Sequence, residues 1–262
     1  EEAEENSEIW LAKGTYTPSP EDPEARDQSF LIASDGITIY GGFDGGEGTI
    51  SERPTPVDPS ETVLSGDIDG DDTLNGNSYH VVAITTEANF FEGDTPTRLD
   101  GLTISGGNAN GNGYTLDIFN QDGAGLACAS NCYAVLNNII IENNRAEERG
   151  GGVFLGGTNG PIALEMSNAI VRGNTAGDEG GGITIDSENE YRFTIGNALI
   201  TGNAAEDGAG VSFTAAGGAT GSGLIANATI HGNRAEDEGG GIEYDIETPS
   251  ASLEIVNSIV AG

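Results

Sequence analysis

The sequence predicts an all-β fold: a right-handed parallel β-helix, or solenoid, with three short strands in each rung of about 30 residues. Three observations carry this expectation. First, the segment Asn168-Ala-Ile-Val-Arg-Gly-Asn174 recurs as Asn197-Ala-Leu-Ile-Thr-Gly-Asn203 and Asn227-Ala-Thr-Ile-His-Gly-Asn233. An earlier copy is Asn138-Ile-Ile-Ile-Glu-Asn-Asn144, and an incomplete one is Asn257-Ser-Ile-Val-Ala-Gly262. The leading asparagines, at 138, 168, 197, 227 and 257, stand 30, 29, 30 and 30 residues apart. Second, each copy runs through an acidic turn into a Gly triplet, such as Gly150–Gly152, Gly180–Gly182 or Gly239–Gly241. Third, short segments of period-two alternation fill each period, as in Leu164-Glu-Met-Ser, Ile170-Val-Arg and Ile183-Thr-Ile-Asp. Such alternation is the strand signal. Long Gly-free amphipathic stretches, which helical repeats need, are missing, and so is a Leu-x-x-Leu-x-Leu pattern.

Taken in chain order, residues 1–98 are the less regular part. Strands are expected at Ile9–Ala12, Ile37–Tyr40, Thr62–Leu64 and Tyr79–Ile84. Between them lie long Pro-, Asp- and Gly-rich loops, Thr17–Gln28 and Gly45–Pro59, which read as decorated corners of the first rungs. A weak copy, Asp100-Gly-Leu-Thr-Ile, then opens the regular rungs, 99–262, of the same single domain. Inward columns are expected at Met166, Ile195, Ile225 and Ile255, and at Ile141, Val171, Ile200, Ile230 and Val260. After the triplets, Val153, Ile183, Val211 and Ile242 should face in, with Leu155, Ile185, Phe213 and Tyr244 beside them. The interleaved Phe154, Thr184, Ser212 and Glu243 should face out. The leading asparagines suit a left-handed bend, where their amides stack and bond to backbone and to one another.

Composition narrows the function classes. The chain holds 43 Asp and Glu against nine Lys and Arg, a formal charge of −34. Nucleic acid and anionic membranes are poor partners for it, because phosphate binding needs clustered bases. Its 42 Gly come with only nine Pro and no Gly-X-Y period, which excludes collagen. No apolar run approaches a membrane span. No signal peptide is visible, and the opening Glu1-Glu2-Ala3-Glu4 is expected to follow a removed leader.

The pairing of Gly-Gly-Gly-Ile with Ile-x-x-Asn resembles the repeats of bacterial polymorphic outer-membrane proteins, over about residues 99–262. Those carry Gly-Gly-Ala-Ile and Phe-x-x-Asn in passenger domains of pectate-lyase-like β-helix fold. The stretches Ile9-Trp-Leu-Ala-Lys-Gly-Thr-Tyr16 and Ile39-Tyr-Gly-Gly-Phe43 look like opening rungs of large secreted bacterial β-helix proteins. The resemblance implies export and a surface or extracellular home, and no reaction.

Several residues carry candidate chemistry. Cys128 and Cys132 are the only cysteines, and a local disulfide is expected of them in an exported protein. The alternate acids Asp67, Asp69 and Asp71 suit a Ca²⁺ loop or, equally simply, a solvated acidic turn. Asp72 and Ser78 stand where an EF-hand has Gly and Glu, so this is no EF-hand. Glu147-Glu148, Asp178-Glu179, Glu206-Asp207 and Asp237-Glu238 stack like charges at each turn, with Arg145 and Arg234 expected to compensate. Asp186, Glu243 and Asp245 form a thin set of outward carboxylates, too sparse to predict a glycosidase.

The expected function is therefore a non-catalytic structural or adhesive module, with a carbohydrate-binding or polysaccharide-cleaving β-helix as the alternative. An outward acidic cluster in a groove flanked by loops would favour the alternative. A solenoid has two open ends, so partners are expected there: copies of this chain end to end, or neighbouring rungs of a longer chain. Such a fibre contact would use Ile9, Trp10 and Leu11 against Ile259 and Val260. Surface carbohydrate is the other partner considered.

Overall fold

The computed structural model describes residues 3–18, 25–115, 118–129, 131–157 and 159–261. The chain winds into a right-handed parallel β-solenoid of about eight turns. The long sheet runs without a break through Glu8–Ala12, Thr38–Phe43, Thr97–Ser105, Cys132–Glu142, Ile162–Arg172, Glu190–Thr201, Thr220–Ala226 and Ala251–Val256. A second sheet stacks seven strands: Phe30–Ile32, Val82–Ile84, Leu126–Ala129, Val153–Gly157, Ile183–Ser187, Val211–Ala215 and Ile242–Ile246. The third side is thin, with two-residue pairs such as Arg145–Ala146 on Asn108–Ala109. No helix among the described residues is long and apolar enough to cross a membrane.

The repeat period sets the register. Leu136, Met166, Ile195, Ile225 and Ile255 are successive partners, as are Ile141, Val171 and Ile200. On the second sheet Val153, Ile183, Val211 and Ile242 pair in turn. Apart from the last rung, these columns are buried and form one continuous core. One position shows how size is balanced between rungs. Tyr191, Phe193 and Phe213 fill the interior together, and Gly221 and Gly223 lie directly over the two rings on Glu190–Thr201. A Cβ on Gly223 would run into the Phe193 ring.

Two asparagine ladders form the corner. Asn138, Asn168, Asn197, Asn227 and Asn257 have φ of 50°, 53°, 50°, 55° and 48°, the left-handed region that Asn tolerates. The first three sit inside continuous bent strands, so two of the expected short strands fuse into one. The second ladder, Asn144, Asn174, Asn203 and Asn233, is buried. Each side-chain amide of the first three donates to the next Asn Oδ1, at 3.0, 3.1 and 3.0 Å. Each such Oδ1 also accepts the preceding Asn's main-chain amide. The column thus satisfies polar groups that the dry corner would otherwise strand.

One expected face is corrected. Phe154, Thr184 and Ser212 lie on the outer side of their sheet but are buried, at 6%, 0% and 1% exposure. The acidic turn folds over them: the Gly150, Gly180 and Gly208 backbones press against these side chains. Tyr244, expected inside, is 63% exposed because it sits on the last rung of this sheet.

Candidate functional site

The outer face of the second sheet carries a groove of about 810 Å³. Its floor is made by strand residues. Ala129, Gly156 and Asp186 are register partners in one column, and Phe154 stands in the next. The two small residues leave the space, and the Phe154 ring folds over Gly156. A hairpin pairing Tyr114–Thr115 with Ile118–Phe119 borders the groove, as do Thr86, Glu87, Asn131 and Asn159.

An ion-pair cluster anchors one side. Asp122 precedes the turn glycine Gly123, and its side chain is 1% exposed. Arg149 Nε and Nη2 donate to Asp122 Oδ1 and Oδ2 at 3.3 and 2.8 Å. The Arg149 main-chain amide donates to Oδ1 at 3.0 Å. Nη1 donates to Asp186 Oδ2 at 2.7 Å, and the guanidinium lies 4.9 Å from the Phe154 ring centre. Burial raises the Asp122 pKa, with Arg149 pulling against it. Glu148 and Glu179 are also raised, by burial first and by neighbouring carboxylates after it. This face is therefore short of positive charge.

Two further residues line the groove. Tyr114 is 72% exposed, with its ring backed by Phe119 at 5.2 Å. Thr86 is 3% exposed and lines the groove, and its buried hydroxyl has no partner among the described residues.

The cysteines are joined, Cys128 to Cys132, with Cα atoms 5.9 Å apart. The bridge ties the end of one strand to the start of the next beside Ala129 and Asn131, both groove residues. Asp67, Asp69 and Asp71 converge so that one oxygen of each lies within 4.8 Å of the others, as a cation would require. Their carboxylates also accept the main-chain amides of Gly70, Asp71, Asp72 and Thr73. Asp67 lines a separate depression, away from the groove. Ile9, Trp10 and Leu11 lie in the first strand of the long sheet, with Trp10 stacked on Phe43. Ile259 and Val260 lie on the last rung, 64% and 46% exposed. These two patches are at opposite ends and take no part in the groove.

Asp186 joins the groove, whereas Glu243 instead accepts the Ser212 hydroxyl at 3.3 Å and Asp245 lies two rungs from Asp186. Arg145 and Arg234 make no ion pair among the described residues, whereas Arg149 pairs with Asp122 and Asp186. A sequence signal marked it: the residue before each turn glycine is Asp122, Arg149, Glu179, Asp207 and Glu238, one base in a column of acids. Such a local break in a repeat marks a place under a separate demand. Phe154, among Ala127, Thr184 and Ser212, breaks its column similarly.

No family model, curated protein or solved structure matches this chain.

Proposed function

We propose that this protein is an exported carbohydrate-binding β-solenoid that holds a glycan in the groove beside Arg149. The observation that carries the reading is the exposed Tyr114 ring standing over a cleft edged by fixed polar groups. A sugar offers an apolar C–H face to an aromatic ring and hydroxyls to its surroundings. Here Tyr114 supplies the ring, and Asn131, Glu87 and Asp186 supply donors and acceptors. The disulfide, the Asn131 to Glu87 hydrogen bond and the Arg149 clamp hold these groups before a ligand arrives, which lowers the ordering cost of binding.

Binding without cleavage is the form we favour. The deepest carboxylate, Asp122, has both oxygens held by Arg149 and is shielded from a glycosidic oxygen. The resemblance of the repeats to surface passenger domains supports an extracellular or cell-surface setting for an adhesive role. The test is a screen of immobilised glycans with the whole chain and with Tyr114→Ala. Binding by the first and its loss in the second support the reading; equal binding by both contradicts it.

A second reading, head-to-tail stacking of copies, has its own observation. An apolar cleft at the first rungs is lined by Ile9, Leu11, Ile37, Ile39 and Leu64. At the other end the last parallel strand of the long sheet exposes the aliphatic side chains of Ile259 and Val260. Such contacts do not close, so they build fibres. Elongated particles that disperse on Ile259→Asp would support it, and monomers throughout would end it.

A further inference from the structure

We propose that the groove selects glycans whose sugars carry free amines, chains of the glucosamine type, over neutral and uronate-bearing ones. The inference rests on the glycan reading above and adds the substrate class.

The charge of the lining is the first ground. Glu87, Asp122, Glu148 and Asp186 face a single base, Arg149. That base is already committed. Each of its three nitrogens donates to a carboxylate, and its face rests against Phe154. A uronate reaching for the two remaining N–H groups of Arg149 would meet Asp122, Asp186, Glu148 and Glu87 around them. Anionic sugars are thus disfavoured by repulsion.

The free acceptors are the second ground. Glu148 is half-buried, and its carboxylate has no hydrogen-bond or ion-pair partner among the described residues. Among the described residues Asp186 has Arg149 as its one partner, through Oδ2, and nothing bonds to Oδ1. An ammonium placed between them would make charge-assisted hydrogen bonds, which are stronger than the neutral bonds a sugar hydroxyl offers. The exposed Tyr114 ring is the part that asks for a sugar rather than a bare cation.

The run of the repeat is the third ground. From Glu148 at the groove, the stacked turns carry Asp178-Glu179, Glu206-Asp207 and Asp237-Glu238 down the solenoid. Hydrogen bonds from Asp178 to Glu148 and from Asp207 to Asp178 fix this stacking. One acidic turn therefore recurs at each strand spacing, about 4.8 Å. A linear polymer with one amine per sugar would find a carboxylate at each step as it left the groove.

The experiment is calorimetric titration of the whole chain at low salt with matched-length oligosaccharides: free-amine glucosamine, N-acetylglucosamine and galacturonate. Spermine and tetralysine are added as cations that are not sugars. The expected result is binding of the free-amine chain about tenfold or more tighter than its acetylated form, from one added charge-assisted bond. Galacturonate should not bind. Glu148→Gln should weaken the free-amine chain several-fold more than the acetylated one, and Tyr114→Ala should weaken both. Equal or tighter binding of the acetylated or uronate chain overturns the amine preference while leaving the glycan reading standing. Spermine or tetralysine binding as tightly as the amino-sugar overturns it in favour of a general cation surface. Binding of no glycan at all overturns both readings.

Discussion

Arg149 grips Asp122 twice, through Nε at 3.3 Å and Nη2 at 2.8 Å, and its own backbone amide closes on the same carboxylate at 3.0 Å. Asp122 is almost wholly shielded, so its charge depends on this one partner. Arg149→Met should therefore destabilise the fold by about 3 kcal/mol, because it leaves a buried carboxylate uncompensated. Adding Asp122→Asn should return most of that loss. Urea unfolding of the wild type, the single variants and the double variant gives the coupling directly.

The two asparagine ladders should respond differently to the same substitution. Asn174 Nδ2 bonds to the Ile141 carbonyl and to Asn203 Oδ1, while its own Oδ1 accepts twice from Asn144. Asn174→Ala should cost roughly 3 kcal/mol by stranding these buried groups. Asn168 sits at φ 53°, so Asn168→Ala should cost roughly 1–2 kcal/mol from the left-handed backbone alone, and Asn168→Gly less. Thermal melts of the three variants separate the two effects.

Sequence reading and structure agree where stacking alone decides position. Leu136 above Met166 above Ile195 follows from the period, since each rung repeats the environment of the last. Alternation failed at Phe154, Thr184 and Ser212 for a definite reason. It tells which side of a sheet a residue occupies, not what covers that side, and here the acidic turn does. The groove was less legible still. Tyr114 and Phe119 belong to a hairpin outside the repeat, so no column predicted where they would stand. Asp122 and Arg149 come from different rungs, and only the break in the acid column hinted at their pairing.

Stability should depend on pH through the stacked acids. Glu179 has a pKa raised above 4.5 by burial and by Asp178 and Glu243. The folded state then holds its proton more tightly than the unfolded chain, so this residue opposes folding at neutral pH and ceases to as pH falls through its folded value. Glu179→Gln should accordingly raise the melting midpoint near pH 8 by roughly 2–4 °C, with the gain fading as pH nears 4.5. High salt should shrink the same gain, because much of it is repulsion between partly solvated charges. A variant that melts lower than wild type near neutral pH would show the sign to be wrong.

Calcium is the cation expected at Asp67, Asp69 and Asp71. Their oxygens converge, and no basic side chain bonds to them among the described residues. Millimolar Ca²⁺ should raise the melting midpoint by more than an equal ionic strength of NaCl does. The quantity to follow is the Ca²⁺ increment, since Asp67→Ala with Asp69→Ala also removes turn hydrogen bonds and lowers the baseline. That increment should vanish in the double variant. An undiminished increment would place the effect on the stacked acidic turns instead.

The account turns on the groove being where a glycan sits, and amide chemical-shift mapping with a bound oligosaccharide tests this most directly. The prediction is that perturbed amides cluster at Thr86, Tyr114, Asn131, Arg149 and Gly156, with the solenoid ends unchanged. Shifts confined to Ile9–Leu11 or Ile259–Ala261, or none around Tyr114 at saturating glycan, would contradict it.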